Sequence, residues 1–320
     1  MKRTVVPVFF TADETYAPYL STALASLIDN TSPENDYEIN VIYHNMSRRS
    51  QKRLEKLGKD KANIRLILTE MQESLEGISD RKETRLKADC FTPTIYYRIF
   101  LPEMFPQYDK GIYLDSDIIV RTDIAEMFNI ELGDNVLAAC TDMSTQTNEL
   151  LCRYFDDAVG VQHEKYFNSG VLLMNFKKFR DEEICEHFLY LLNKYDFDTV
   201  APDQDYLNAL CKGRVHYLGY EWNTMPSNGF THIDEPKIVH YNLFFKPWHY
   251  DGTEYEEYYW KYANDSAFLK EILREKKSFT KKSKKSDEER MNFMLERAEE
   301  ILQEEVTFKK IFDSGKEKRG

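Results

Sequence analysis

Glycine-rich phosphate loops are missing from this chain. None of its twelve glycines stands in a Gly-x-Gly-x-x-Gly or a Gly-x-x-x-x-Gly-Lys-Ser/Thr arrangement, which excludes a dinucleotide fingerprint and a P-loop. Any diphosphate bound here needs much of its charge neutralised by a metal ion, which acidic side chains would hold. Cysteine is sparse: Cys90, Cys140, Cys152, Cys185 and Cys211 are scattered, odd in number and form no Cys-x-x-Cys pair. Neither a zinc knuckle nor a disulfide framework is indicated. No apolar run has the length a bilayer span requires. The start, Met1-Lys2-Arg3 and then Val5 to Phe10, is basic and briefly apolar, but Asp13 and Glu14 follow without a small-residue cleavage site. It reads as a first strand rather than a signal peptide, and the expected location is cytoplasmic. Positive charge is in deficit as well. A net charge of −12 argues against non-specific nucleic-acid binding, which works by neutralising phosphates.

What is present is core-forming. The 320 residues are 42% hydrophobic and 14% aromatic, enough for one large domain or a catalytic core with an appendage. The 21 tyrosines and 20 phenylalanines also suit pockets that stack planar or sugar rings. The first 120 residues alternate strand and helix signals. Val5 to Phe10 predicts a strand, Tyr16 to Ile28 a helix, Ile39 to Tyr43 a strand, Arg48 to Leu57 a helix and Ile64 to Leu68 a strand. Thr94 to Leu101 then predicts a helix and Gly111 to Leu114 a strand. That rhythm requires a parallel or mostly parallel sheet with helices on its faces. Ligands bind beyond the carboxyl ends of such strands. Thr11-Ala12-Asp13 and Asp115-Ser116-Asp117 both fall there, so they are expected to face one crevice.

Further on, Val136 to Cys140, Ser169 to Phe176, Val215 to Leu218 and Ile238 to Tyr241 predict strands, and Asp181 to Tyr195 and Asp205 to Cys211 helices. After residue 252 the texture changes. Glu254 to Arg274 is a charged, aromatic helical stretch, 276–285 is a polybasic linker, and Met291, Met294, Leu295, Ala298, Ile301 and Leu302 recur at helical spacing. Two readings of this tail compete. The amphipathic helix packs on the core or pairs in a homodimer, or the lysines make weak contact with an anionic membrane surface. The acidic polar face from Asp287 to Glu305 favours protein packing.

The most informative stretch is Tyr113-Leu114-Asp115-Ser116-Asp117-Ile118-Ile119-Val120. An apolar strand arrives, two acids follow, and a second strand or turn leaves. Strand alternation sends Asp115 and Asp117 to one side. Two like charges so close repel unless a cation lies between them, and oxygen ligands favour Mg²⁺ or Mn²⁺. The plain alternative is an acidic turn. Phe167-Asn168-Ser169-Gly170-Val171, Pro202-Asp203-Gln204-Asp205, Val239-His240-Tyr241-Asn242 and Lys246-Pro247-Trp248 each admit a similar pair of readings. Singly, Asp203 reads as a helix N-cap, His240 as a satisfied core histidine and Trp248 as a packing residue. Together, these acids, an imidazole and a lysine are what a metal-bridged diphosphate requires.

Those segments, with Phe10-Thr11-Ala12-Asp13-Glu14-Thr15-Tyr16 and Tyr96-Tyr97-Arg98, resemble glycosyltransferase family 8, in order from about residue 4 to 250. That family includes bacterial lipopolysaccharide galactosyl- and glucosyltransferases and glycogenin. The resemblance implies an α/β fold of GT-A type, a Rossmann-like mixed sheet flanked by helices. Residues 1–252 would be the catalytic domain, with a nucleotide-sugar half to about 120 and an acceptor-side half from about 121 to 252. Residues 253–320 would be a helical extension. It also implies a UDP-sugar donor, Mn²⁺ or Mg²⁺, and retention at the anomeric carbon.

Carried over by position, Asp115, Asp117 and His240 would hold the metal. Thr11, Asp13, Thr15 and Tyr16 would meet the nucleoside, and Lys246 the diphosphate. Arg98, Asn168, Asp203 and Gln204 would surround the donor sugar, with Asp205 the carboxylate for a covalent route. Thr15 stands where some members carry Asn, and Asn242-Leu243-Phe244-Phe245 departs from their Gly-containing loop. Met225-Pro226-Ser227-Asn228 is placed at the acceptor pocket.

The expected function is transfer of glucose or galactose from a UDP-sugar to a glycan or lipid-linked sugar, in the cytoplasm and peripheral to the inner membrane face. Two rivals remain. Asp-x-Asp after an apolar strand also opens haloacid-dehalogenase-like Mg²⁺ phosphatases, although those place it on the first strand and usually want Thr or Val where Ile119 stands. The other rival is a UDP-sugar-binding protein whose catalysis has lapsed.

Overall fold

The computed structural model describes residues 3–71, 96–226 and 232–318; Cys90, Thr94, Ser227 and Asn228 lie outside them. Runs of branched and aromatic residues form strands because such side chains fit a covered, pleated surface. These are β1 (Val5–Ala12), β2 (Asp36–Tyr43), β3 (Ile64–Glu70), β4 (Gly111–Leu114), β5 (Ile118–Val120), β6 (Leu137–Thr141), β7 (Phe167–Met174), β8 (Val215–Tyr217) and β9 (Ile238–His240). Seven of them make one sheet in the order β3-β2-β1-β4-β7-β6-β8, while β5 and β9 pair separately and antiparallel. In the large sheet only β7 runs against its neighbours. The mostly parallel sheet expected from the β-α rhythm is what forms.

Both faces of this sheet are covered. Val8 and Phe10 of β1, Ile112 and Leu114 of β4, and Val171 and Leu173 of β7 enter one core. Their alternates Phe9, Tyr113 and Leu172 enter the other. The first core is closed by the helix Ala17–Asp29 and by Tyr259, Ala263, Phe268 and Ile272 from the C-terminal region. The second is closed by the helices Tyr97–Met104, Ile184–Tyr195 and Pro202–Leu210.

Reversal of β7 matters for function. It sets the N-terminal end of β7 beside the C-terminal ends of β1 and β4, with Leu114 paired to Val171. Asn168, Ser169 and Gly170 therefore reach the sheet edge at which Thr11 and Asp115 emerge. This is the edge where open α/β sheets bind ligands.

Three expectations need correction. The predicted helix Asp181 to Tyr195 is two helices, Phe176–Asp181 and Ile184–Tyr195, broken at Glu183, whose φ is +51°. Glu254 to Arg274 likewise divides into Glu256–Ala263 and the start of Leu269–Ser278. The polybasic stretch is not an extended linker. Lys276 to Ser278 ends one helix and Lys281 opens another, Lys281–Gln303, leaving only Phe279 and Thr280 between them. Lysine is a good helix former, and Thr280 and Ser283 exchange a capping box that starts the second helix.

That long helix buries Ala298 and Ile301 in the second core, with Met294, Leu295 and Leu302 packed beside them. Part of its apolar face thus packs on the protein, while Phe293 stays exposed. No helix among the described residues is long and apolar enough to cross a membrane.

Candidate active site

Asp115 and Asp117 do not meet through strand alternation. They occupy the turn between β4 and β5, outside either strand. The Asp115 N–H donates to Gly170 O at 2.8 Å, and the Tyr241 N–H donates to Asp117 O at 2.9 Å. Ser116 between them donates its hydroxyl to Thr11 O at 2.8 Å, tying the turn to the end of β1. His240 ends β9, directly opposite Ile118. Its Nε2 lies 3.3 Å from Asp117 Oδ1 and 3.7 Å from Asp115 Oδ2.

One ligand atom from each of Asp115, Asp117 and His240 falls within 4.8 Å of the others. Two carboxylates and an imidazole are a donor set for a divalent ion of the Mn²⁺ type. Space for it depends on Gly170. A Cβ there would lie 2.4 Å from His240 Cε1 and 2.5 Å from Asp115 Oδ2. The residues therefore fit a metal.

Each acid is also held by a cation. Asp115 Oδ1 accepts from the Tyr113 hydroxyl at 2.7 Å and pairs with Arg98 Nη2 at 3.0 Å. Arg98 pairs through Nε with Asp203 at 3.1 Å and donates through Nη1 to Ser169 O at 2.7 Å. Burial opposes the charge on Arg98, but Asp115 and Asp203 outweigh it and hold its pKa above the ordinary value. Asp117 Oδ2 lies 2.5 Å from Lys246 Nζ, which also donates to Tyr241 O at 2.8 Å. Burial works against the Asp117 charge, yet Lys246 and then His240 keep its carboxyl well below the usual range. Asp203 moves the other way: burial raises it, and Arg98 recovers only part of the shift.

Asp203 is not the helix N-cap. Ala201 holds that position, Pro202 starts the helix, and Asp203 in its first turn accepts from Ser169 Oγ at 2.9 Å. Gln204 accepts from Ser169 N at 2.9 Å and from Asn168 Nδ2 at 3.2 Å. Arg98, Asn168, Asp203 and Gln204 thus form one buried network.

Asp205 stands apart from it. Its carboxylate accepts from the hydroxyls of Tyr154 at 2.8 Å and Tyr166 at 2.6 Å and from the N–H groups of Val200 and Ala201 at 3.1 and 3.0 Å. It is fully buried, and burial raises its pKa to about 6 against those hydrogen bonds. Oδ2 takes three of these bonds and Oδ1 one, so the carboxylate is committed to Tyr154, Tyr166 and the start of its own helix rather than to the Arg98 network.

The remaining expected contacts cluster near the end of β1. Thr11 Oγ1 lies 2.9 Å from the Tyr113 hydroxyl, and Asp13 Oδ1 accepts from Tyr16 N at 3.0 Å. Thr15 is exposed in the turn between them, and the Tyr16 ring meets Tyr19 edge-on. Trp248 stacks on Tyr19 at 4.1 Å and is buried, so the packing reading holds for it. Asn242 Nδ2 approaches Met225 Sδ at 3.7 Å, which brings the Met225 segment beside the residues that follow His240.

Sequence reasoning missed Asp142 and Asn223. Asp142 Oδ2 accepts from Gln204 Nε2 at 2.9 Å and Asn168 Nδ2 at 3.2 Å. Asn223 lies between His240 and Asn168. Neither sits in a patterned segment; Asp142 follows a strand end and offered the only faint signal.

Comparison with known proteins agrees with this geometry. The sequence profile of Glycosyl transferase family 8 matches residues 7–252. A putative glycosyltransferase of Haemophilus influenzae is 27% identical over 221 residues, covering 69% of this chain and 64% of that protein. A lipopolysaccharide 1,2-glucosyltransferase of Escherichia coli K12 is 30% identical over 168 residues, covering 48% of this chain and 49% of its own length. The matches thus span between half and two thirds of these relatives. The galactosyltransferase LgtC, solved with donor and acceptor sugar analogs, superposes with a TM-score of 0.68 at 29% identity, covering 85% of this chain and 100% of that one. The fold is accordingly the expected α/β arrangement of GT-A type. The phosphatase alternative falls with this match, and Asp115 follows the fourth strand rather than the first.

Proposed function

This chain belongs to Glycosyl transferase family 8, and from that premise we propose that it is a retaining hexosyltransferase. It moves glucose or galactose from a UDP-sugar to a hydroxyl of a glycan or lipid-linked sugar, in the cytoplasm. The observation that carries this reading is the convergence of Asp115, Asp117 and His240 on a space that Gly170 leaves open.

Asp115, Asp117 and His240 hold the metal, Mn²⁺ or Mg²⁺. When bound, such an ion supplies electrostatic stabilisation to a diphosphate that gains negative charge as its bond to the sugar breaks. Lys246, beside Asp117, adds positive charge to the same diphosphate. Thr11, Asp13, Thr15 and Tyr16 take the nucleoside at the end of β1. Arg98 keeps its charge, is locked between Asp115 and Asp203, and positions the sugar with Asn168, Asp203 and Gln204.

Retention follows either from two inversions or from attack on the departing face. The hold of Tyr154, Tyr166 and the Val200 and Ala201 amides on the Asp205 carboxylate favours the second route. We assign Asp205 to holding the helix that presents Asp203 and Gln204.

The test is donor hydrolysis with UDP-glucose, UDP-galactose and their N-acetyl forms, each with and without Mn²⁺. Consumption of at least one donor, abolished by chelation, is expected. UDP bound tightly with no donor consumed would identify a lapsed binding protein, and neither binding nor consumption would overturn the assignment.

A further inference from the structure

We infer that the C-terminal helices form a clamp that sets the position of Lys246 and thereby the affinity for the donor diphosphate; this rests on the role proposed above for Lys246. The segment from Lys246 to Asp251 behaves as one piece. The Lys246 carbonyl accepts from both His249 N and Tyr250 N, at 2.9 Å each, so displacement of the turn carries Lys246 with it.

The extension grips this turn along its length. Lys276 Nζ donates to Pro247 O at 2.9 Å and to Tyr250 O at 3.2 Å, and pairs with Asp251 at 2.8 Å. An ammonium has three protons to donate, and here two backbone carbonyls and a carboxylate surround it. The His249 ring lies flat on Phe279, with centroids 4.1 Å apart and planes 5° apart, and its Nε2 is 3.1 Å from Glu275. The Tyr250 hydroxyl donates to the buried Asp287 at 2.9 Å, and Lys284 lies over its ring.

These partners come from the end of the helix Leu269–Ser278, the joint at Phe279 and the first turns of Lys281–Gln303. The joint between the two helices is therefore wrapped around the turn that carries Lys246. Exposed ion pairs alone would fix little. Directed bonds to main-chain carbonyls and a ring stack do fix a backbone, and they give the polybasic segment a use within the chain.

The experiment is Mn²⁺-dependent UDP binding by calorimetry on the full chain, with Lys276→Met and Phe279→Ala, each alone and combined with Lys246→Ala. Each clamp variant is expected to weaken UDP roughly tenfold, the worth of one charge-assisted contact. Lys276→Arg should recover most of that loss. Mn²⁺ affinity without nucleotide, read by electron paramagnetic resonance, should not weaken, because the three metal ligands are untouched.

In the Lys246→Ala background the clamp substitutions should add nothing further, as coupling through Lys246 demands. Should either variant not fold, Tyr250→Phe, which removes only the hydroxyl on Asp287, carries the same comparison. Wild-type UDP affinity in the clamp variants, or a loss that persists in full without Lys246, overturns the clamp. Wild-type protein that binds Mn²⁺ but no UDP would instead fail the proposed function and take the clamp with it.

Discussion

Asn223 fixes the tautomer of His240. Gly170 N can only donate, and it lies 3.0 Å from an Asn168 side-chain atom, which must therefore be the oxygen. That oxygen faces Asn223 at 2.9 Å, so Asn223 presents its NH₂ there and its own oxygen to His240 Nδ1, at 3.0 Å. An amide oxygen only accepts. Nδ1 thus carries a proton, which leaves Nε2, the nitrogen facing Asp115 and Asp117, to supply the lone pair for a metal. A backbone N–H on β7 decides which histidine nitrogen is available as a ligand.

Asn223→Leu should consequently weaken Mn²⁺ binding by about 10- to 100-fold, the usual cost of losing the partner that orients a metal-binding histidine. Asn223→Asp keeps an acceptor on Nδ1 and should retain most of the affinity. Mn²⁺ titration followed by electron paramagnetic resonance reads both. Equal affinity in the Leu variant and wild type would mean that the bond does not orient the ring.

Gly170→Ala tests the space rather than the ligands. The added methyl falls 2.4 Å from His240 Cε1 and 2.5 Å from Asp115 Oδ2, inside any tolerable contact, so a metal ligand has to move. We expect loss of Mn²⁺ binding and of donor hydrolysis, with a stability cost of about 1–3 kcal/mol for overpacking. Thermal melts alongside Mn²⁺ titration separate the two effects. Wild-type metal affinity in this variant would show that the ion sits elsewhere.

Much of this was legible in the chain because parallel strands and their ends leave strong marks. Asp115, Asp117 and the lysine at 246 stand out as charges against apolar runs, and family 8 order linked them to His240. Less legible were the long-range bonds. Asp205 looks identical to Asp203 in a sequence, and only the fold reveals that one reaches Arg98 while the other is taken up by Tyr154 and Tyr166. Asn223 left no signal, since a buried amide in a loop has no periodicity to betray it. The lysines of 276–285 misled in the opposite direction: composition suggested a linker, whereas helix propensity and a capping box made two helices with a short joint.

Asp117→Asn removes charge at one metal ligand and should lower donor turnover by about 10²- to 10³-fold, equivalent to ~3–4 kcal/mol of barrier. Metal-dependent UDP binding should fall with it. The substitution also leaves Lys246 without its buried partner, and breaking such a pair costs about 3–5 kcal/mol. Circular dichroism must therefore accompany the kinetics. Unchanged turnover in a folded Asp117→Asn protein would remove Asp117 from the metal site.

Asp205 gives a pH signature of the fold rather than of catalysis. Burial raises its pKa from 3.8 to about 6, so between those values the folded protein binds more protons than the unfolded chain. Linkage then makes stability fall as pH rises through that window, by up to about 3 kcal/mol, and level off above it. Other carboxylates titrate in the same range, so the informative quantity is the difference between wild type and Asp205→Asn. That variant cannot ionise there, and it also presents an amide NH₂ to donors that need an acceptor, which lowers its stability at every pH. Its deficit relative to wild type should grow as pH drops from 6 to 4, because only wild type gains a proton. Urea denaturation at pH 4, 5, 6 and 7.5 measures this, and a deficit that stays constant across the series would mean that Asp205 ionises normally in the folded protein.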